Sequence, residues 1–263
     1  MPQRHKPSED FLLEDISRTG SETNSSRPHD VPFYTEENPP SGAILSYWRQ
    51  RQKLFTRYDE GVWMTHDAWY EVTPEKVAEK IAQHIFESGA ETVIDAFCGV
   101  GGNTIQFALS ASCKRVIAID KNPTAILCAK HNAQIYGVSE KIEFIIGDFF
   151  ELISTRGSEL KSDAVFLSPP WGGPTYRNDE IFDLDTMEPY AGSYIMEQAL
   201  NVSRNIALYI PRTSNLNQVA KMVPKGERVQ AIHYCIQRRS KALTVYFGNL
   251  SNLENWNKVL HLE

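Results

Sequence analysis

Long apolar runs are missing from this 263-residue chain: no window approaches about 18 consecutive apolar residues, which excludes a membrane-spanning helix. The opening MPQRHKPSED lacks the charged-then-apolar order of a secretory signal, so an intracellular protein is expected. Cysteine is scarce. Cys98, Cys113, Cys128 and Cys235 form no C-x-x-C pair and have no flanking histidines, which argues against a zinc site and, in a reducing compartment, against disulfides. They read as buried thiols. The histidines, including His66, His84 and His131, are scattered without metal spacing, so no metal is expected. Positive charge is not in excess either. A formal net charge of -6 gives no whole-molecule signal for a long polyanion, leaving only local basic surface to hold a short phosphate chain. With 41% hydrophobic and 23% charged residues, the chain is neither collagen-like, fully disordered nor a disulfide scaffold.

Composition divides what is present. Residues 1–41 are rich in Ser, Pro, Glu, Asp, Asn and Thr without a sustained apolar period, and are expected to form a mobile tail. Across residues 42–72, Ile44, Trp48, Leu54 and Phe55 fall near one face at helical spacing, with Arg49, Arg51, Lys53 and Arg57 between them. This predicts a short amphipathic helical extension with a cationic side, which is either a solvated face or a seat for phosphate. Thr73-Pro74 then offers an N-cap with proline at the first helical position, and Val77, Ile81 and Ile85 carry that helix to Gly89. Beyond it the runs ETVIDAF, KRVIAID, KIEFIIGD, DAVFLS and NIALYIP alternate with helical segments, which implies a parallel sheet covered on both faces. The last two runs, RVQAIHYCIQ and ALTVYFGNL, are joined only by RRSK, too short for a crossover, so the final strand should run antiparallel. The prediction for residues 73–263 is an α/β, Rossmann-like domain with a seven-stranded, mostly parallel sheet and an antiparallel last strand. That is the layout of the class I S-adenosylmethionine-dependent methyltransferases.

Ligands of open α/β sheets bind at the carboxyl ends of the strands near the topological switch point. The first strand end reads Asp95-Ala96-Phe97-Cys98-Gly99-Val100-Gly101-Gly102-Asn103, with glycines that let backbone pass close to a ligand. Thr104 stands where a G-x-G-x-x-G dinucleotide fingerprint needs its last glycine. An acid at the start of the turn repels a pyrophosphate but suits the cationic amino group of S-adenosylmethionine. Asp120 ends the second strand, placed to accept both ribose hydroxyls. Asp148 and Phe149 follow the third, placed for the adenine amine and ring face, although an aspartate there also serves as a plain helix cap.

The fourth strand closes with Ser168-Pro169-Pro170-Trp171-Gly172-Gly173-Pro174, where two prolines stiffen the loop. This resembles the Asn/Asp-Pro-Pro-aromatic signature of amino-group methyltransferases, with Ser168 in the first place as a weaker handle. An exposed Trp171 stacks best on a cationic ring such as a 7-methylated guanine, by about 0.5 to 2 kcal/mol over ordinary stacking. The alternative is core packing under the loop.

SYWRQRQKLFTRYDEG, WYEVTPEK, VIDAFCGVGGNTIQFA, VIAID, KIEFIIGDF, FLSPPWGGPTY, YIPR and TVYFGNL occur in this order, and from about Ser46 to Leu250 the chain resembles the catalytic domain of the trimethylguanosine synthase family. The resemblance implies methylation of the exocyclic 2-amino group of a 7-methylguanosine cap on small nuclear and nucleolar RNAs, with S-adenosylmethionine as cofactor. It implies that Asp95 and Asp120 hold cofactor with Thr73, Gly99, Asp148 and Phe149 lining the pocket. Ser168, Pro169 and Trp171 would hold the methylated guanine, and Arg212, Tyr176 and Lys241 the cap phosphates. Without it, Arg212 reads equally as a surface pairing residue and Lys241 as a hairpin residue. Ser46 departs from relatives that carry lysine there, so that contact is missing or supplied by Arg49 or Arg51. A nuclear or nucleolar monomer is expected, with small ribonucleoprotein core proteins as possible partners and no membrane. An amino methyltransferase acting on an internal nucleobase, and a cap-binding scaffold that has lost catalysis, are the competing readings.

Overall fold

The computed structural model describes residues 26–157, 159–172, 180–224, 226–236, 239–252 and 259–262. The apolar runs form the strands β1 (Thr92–Asp95), β2 (Arg115–Asp120), β3 (Ile142–Ile146), β4 (Ala164–Leu167), β5 (Ile206–Ile210), β6 (Gln230–Ile236), β7 (Arg239–Tyr246) and β8 (Val259–Leu262). They join in one sheet of order β3-β2-β1-β4-β5-β7-β6-β8. The pairs among β1 to β5 are parallel, while β7 lies antiparallel to both β5 and β6. These are the seven expected strands with the expected antiparallel β7. The sequence reading stops there and misses β8, a four-residue edge strand parallel to β6. Its VLHL is too short to carry a period of its own.

The helices are α1 (Ile44–Trp48), α2 (Arg51–Leu54), α3 (Ala68–Glu71), α4 (Glu75–Glu87), α5 (Gly102–Leu109), α6 (Pro123–Ile135), α7 (Phe149–Arg156), α8 (Gly192–Leu200) and α9 (Leu216–Lys221). Side chains of a strand alternate between faces, so each strand feeds two cores. Val93, Val116, Phe166 and Tyr209 pack in one core with Val77, Ile81 and Ile105 of α4 and α5. Ile94, Ile117, Val165 and Leu208 pack in the other with Phe150, Ile195 and Val219 of α7, α8 and α9. All four cysteines are free and buried.

Three local expectations need correction. Residues 26–41 of the segment expected to be a tail are packed where they carry Val31, Phe33 and Tyr34: Val31 is buried, Phe33 stacks on Tyr58 at 5.6 Å, and Tyr34 lies 6.1 Å from Trp69, while residues 1–25 lie outside the described residues. Full burial is worth about 1.5–3 kcal/mol for a side chain such as Val31, and the half-buried Phe33 and Tyr34 gain part of that. The single amphipathic helix is two short helices, α1 and α2, although Ile44, Trp48, Leu54 and Phe55 are all buried as expected. Thr73 does not cap α4. Pro74 holds the cap position without a side-chain bond, and the Thr73 hydroxyl turns to Asn103 instead, accepting from its Nδ2 at 2.9 Å.

Candidate active site

Register brings the predicted residues to one edge of the sheet. Asp95 pairs with Ala118 on one side and Phe166 on the other, and Asp120 pairs with Ile146. The residues at these strand ends, or within two positions of them, therefore follow one another across the carboxyl end of the sheet as Asp148, Asp120, Asp95, Ser168 and Arg212, in the order of β3, β2, β1, β4 and β5. Neighbouring strands are about 4.8 Å apart, so the row crosses the sheet at its switch point, where β1 is flanked by β2 and β4.

The turn after β1 is built by close approach. Gly99 and Gly101 have φ of +51° and +92°. A Cβ on Gly101 would lie 3.3 Å from Ala129, and one on Gly102 would lie 2.7 Å from Val72 Cγ2. The turn is thus pressed between α6 and the end of the extension. Asp120 secures it: Oδ2 accepts from the Gly99 N–H and Oδ1 from the Asn122 N–H, each at 2.8 Å. Glu71, although solvent reaches it, is raised by the protein packed around it and by the charges of Asp67 and Asp120, which puts the end of α3 beside this strand end.

Asp95 is the most perturbed carboxyl of the row. It is 1% exposed, and burial lifts its carboxyl to about 7, with the Thr104 hydroxyl lowering and the Asp120 charge raising it. Thr104 Oγ1 donates to Oδ2 at 2.6 Å, while Oδ1 is buried with no hydrogen-bond partner among the described residues. An orphaned carboxylate oxygen at the centre of the row fits a cationic donor such as an α-ammonium group. Asn103 Oδ1 is also buried and unpartnered.

Asp148 has two duties. Its Oδ1 caps α7, accepting from the Phe150 N–H at 2.9 Å, and its Oδ2 accepts from the Tyr190 hydroxyl at 2.8 Å. The Phe149 ring is buried against Phe97 and Phe150 and presents no open face for stacking. Ser168 is half-buried and Pro169 buried. Trp171 is also half-buried, packed against both cores, with its indole N–H directed to the Tyr209 carbonyl at 3.4 Å and its ring tilted onto Tyr209 at 5.7 Å. The packing and stacking readings of this tryptophan are thus compatible: its indole N–H is anchored while the residue is only half-buried.

Arg212 is exposed and has no carboxylate partner among the described residues, unlike Arg51, Arg57, Arg115, Arg156 and Arg204. Arg51 is held by Glu36 and Asp59 and lies 4.4 Å over the Trp48 ring. Of the two candidates to replace a lysine at Ser46, only Arg49 is exposed and without an ion pair among the described residues. Tyr176 lies outside the described residues, and the side chain of Lys241 does too. Sequence reasoning missed Thr104, Asn103, Tyr190 and Tyr209, which act on site residues from other turns of the chain. Only Thr104 had a local signal, as a hydroxyl residue in the first turn of the helix that follows Asp95.

Residues 90–250 match the family described as RNA cap guanine-N2 methyltransferase. The chain is 37% identical over 213 residues to the trimethylguanosine synthase of Schizosaccharomyces pombe, covering 80% of this chain and 88% of that protein. It is also 37% identical over 190 residues to that of Saccharomyces cerevisiae, covering 70% of this chain and 60% of that longer protein. Among solved structures, a putative methyltransferase from Porphyromonas gingivalis W83 superposes with a TM-score of 0.60 at 16% identity, over 77% of this chain and 48% of that one. That likeness concerns the fold alone.

Proposed function

The chain belongs to the RNA cap guanine-N2 methyltransferase family, and from that premise we propose that it methylates the 2-amino group of 7-methylguanosine caps, using S-adenosylmethionine, to give the 2,2,7-trimethyl cap. Its substrates in this reading are capped small nuclear and nucleolar RNAs, met in the nucleus. The observation that carries the cofactor assignment is the row of strand-end residues with the orphaned Asp95 Oδ1 at its centre.

When bound, S-adenosylmethionine supplies a methyl group made electrophilic by its sulfonium. Asp95 would hold the amino-acid ammonium, Asp120 the ribose hydroxyls and Asp148 the adenine amine, the last with Tyr190 fixing its second oxygen. Ser168 and the Pro169 carbonyl would hold the N–H groups of the guanine amine, turning its lone pair towards the donor. Held in this way, the amine nitrogen would be placed to accept that methyl group and then to release its proton to solvent. Orientation supplies much of the rate, so a strong general base is not required. Trp171, steadied by Tyr209, would stack on the cationic 7-methylguanine, and Arg212 would meet the cap phosphates.

The reading is tested by incubating the protein with S-adenosylmethionine and 7-methylguanosine-capped RNA, then measuring the mass of the released cap. Mass gains of one and then two methyl groups on the guanine are expected. Methyl groups on internal bases, or none despite cofactor binding, would overturn it in favour of an internal-base enzyme or a scaffold.

A further inference from the structure

Two polar clamps hold the N-terminal extension on the domain, and they differ in what else they touch. In the first, Glu75 at the start of α4 accepts through Oε2 from the Thr56 N–H and the Tyr136 hydroxyl, each at 2.6 Å, and through Oε1 from the Thr56 hydroxyl at 2.7 Å. That clamp involves no residue of the cofactor turn. In the second, the fully buried Asn132 of α6 accepts from the Trp63 N–H at 2.8 Å, and its amide donates to the Trp63 carbonyl at 3.0 Å and to the Val100 carbonyl at 2.9 Å. Val100 lies between Gly99 and Gly101, within the turn that follows Asp95. The adjacent His131 stacks on Trp63 with ring centroids 3.7 Å apart and meets the Gly61 carbonyl at 2.9 Å. Both hydrogens of the Asn132 amide and its oxygen are used.

We infer that Asn132 is a positioning residue for the cofactor, locking the glycine turn to residues 61–63 so that one side chain ties the cofactor's seat to the N-terminal extension. This rests on the reading of that turn as the cofactor's seat. Asn132 touches no reacting group; it acts through the Val100 carbonyl on one side and the Trp63 backbone on the other. Without its amide, three buried backbone groups lose their partner, and the turn and the extension are free to move apart.

The test compares Asn132→Ala with Glu75→Gln in the full chain. Hydrogen exchange without ligand should quicken for Asn132→Ala both around Trp63 and across Gly99 to Thr104, and for Glu75→Gln only around Thr56. The dissociation constant for S-adenosylhomocysteine should rise about tenfold for Asn132→Ala and stay within about twofold for Glu75→Gln. The cofactor KM should rise with it, while kcat and the cap-nucleotide KM hold. A general loss of fold would move all of these together. Asn132→Asp keeps the shape and the acceptor for Trp63 but loses both donors, and covers the case in which the alanine variant does not fold; the same selective loss is expected. Unchanged cofactor affinity, or quickened exchange confined to one of the two segments, would overturn the inference. Failure of the unsubstituted protein to bind S-adenosylhomocysteine would overturn the functional reading itself, and is distinguishable because the paired exchange change would persist.

Discussion

Thr104→Val keeps the shape of a buried side chain and deletes the donor that sits 2.6 Å from Asp95 Oδ2. Burial already lifts the Asp95 carboxyl from 3.8 to about 7, and the Thr104 hydroxyl does most to hold it from rising further, with smaller help from the Phe97 and Thr104 backbone. If the ionised form grips the cofactor ammonium, affinity follows the ionised fraction. That fraction is about a tenth at pH ~6 and about nine tenths at pH ~8, so affinity for S-adenosylhomocysteine should rise about ninefold across that interval. A hydrogen bond to a charged group is worth about 1.5–3 kcal/mol, part of which survives in the protonated acid, so its loss should raise the midpoint by about one unit. Near pH ~7 the ionised fraction then falls from about half to about a tenth, and the variant should bind about fivefold more weakly, the gap narrowing towards pH ~9. In the ligand-free protein the sign is opposite. The native state keeps a proton that the unfolded chain releases, so stability falls as pH rises from about 4 to about 7, by roughly 4 kcal/mol for a site this dry. Calorimetric titration of both proteins across this range is the assay. Superimposable profiles, or affinity that falls as pH rises from about 6 to about 8, would refute the role given to Asp95.

Trp171→Ala should abolish binding of a 7-methylguanosine nucleotide while leaving cofactor binding intact, and the unsubstituted protein should favour the methylated nucleotide by up to about thirtyfold in a fluorescence titration, from cation–π stacking of about 0.5–2 kcal/mol. Asp148→Ala should lower stability to denaturant by about 1 kcal/mol through loss of the α7 cap as well as weaken cofactor binding. Tyr190→Phe should leave that stability in place and weaken cofactor binding alone, so calorimetry beside denaturant melts separates the two duties of the carboxylate. Affinity for a capped dinucleotide should fall only mildly with salt, the slope matching a few phosphate contacts; a slope of about six or more released ions would contradict a site with Arg212 and Arg49 as its unpaired arginines.

Periodicity and strand-end chemistry make the order of the sheet legible, because five apolar strands with turn signals, four of them largely buried, leave few ways to cover both faces. Asp95, Asp120, Ser168 and Arg212 are legible in the sequence because each ends a strand or follows one within two residues, where register fixes its neighbours. What escaped depends on contacts distant along the chain. Tyr190 reaches Asp148 across 42 residues and Trp171 meets Tyr209 across 38, spacings that no local pattern encodes. The basic run from Arg49 to Arg57 looks uniform in sequence, yet Glu36 from the preceding segment and Asp59 engage Arg51, and Glu60 engages Arg57, while Arg49 has no ion pair among the described residues. The ring of Phe149, expected to face the adenine, is instead turned into the core, as a residue at the first position of α7 can be. Val31, Phe33 and Tyr34 were hidden by the polar residues around them.

The central claim is that Trp171 and the Ser168 loop present a guanine already methylated at its 7-position to a cofactor held by the row of aspartates. It is tested most directly by methyl transfer from labelled S-adenosylmethionine to two matched dinucleotide caps, one bearing the 7-methyl group and one lacking it. The account predicts product on the methylated cap alone. Equal product on both would contradict the stacking logic, and none on either with cofactor bound would contradict the cap as substrate.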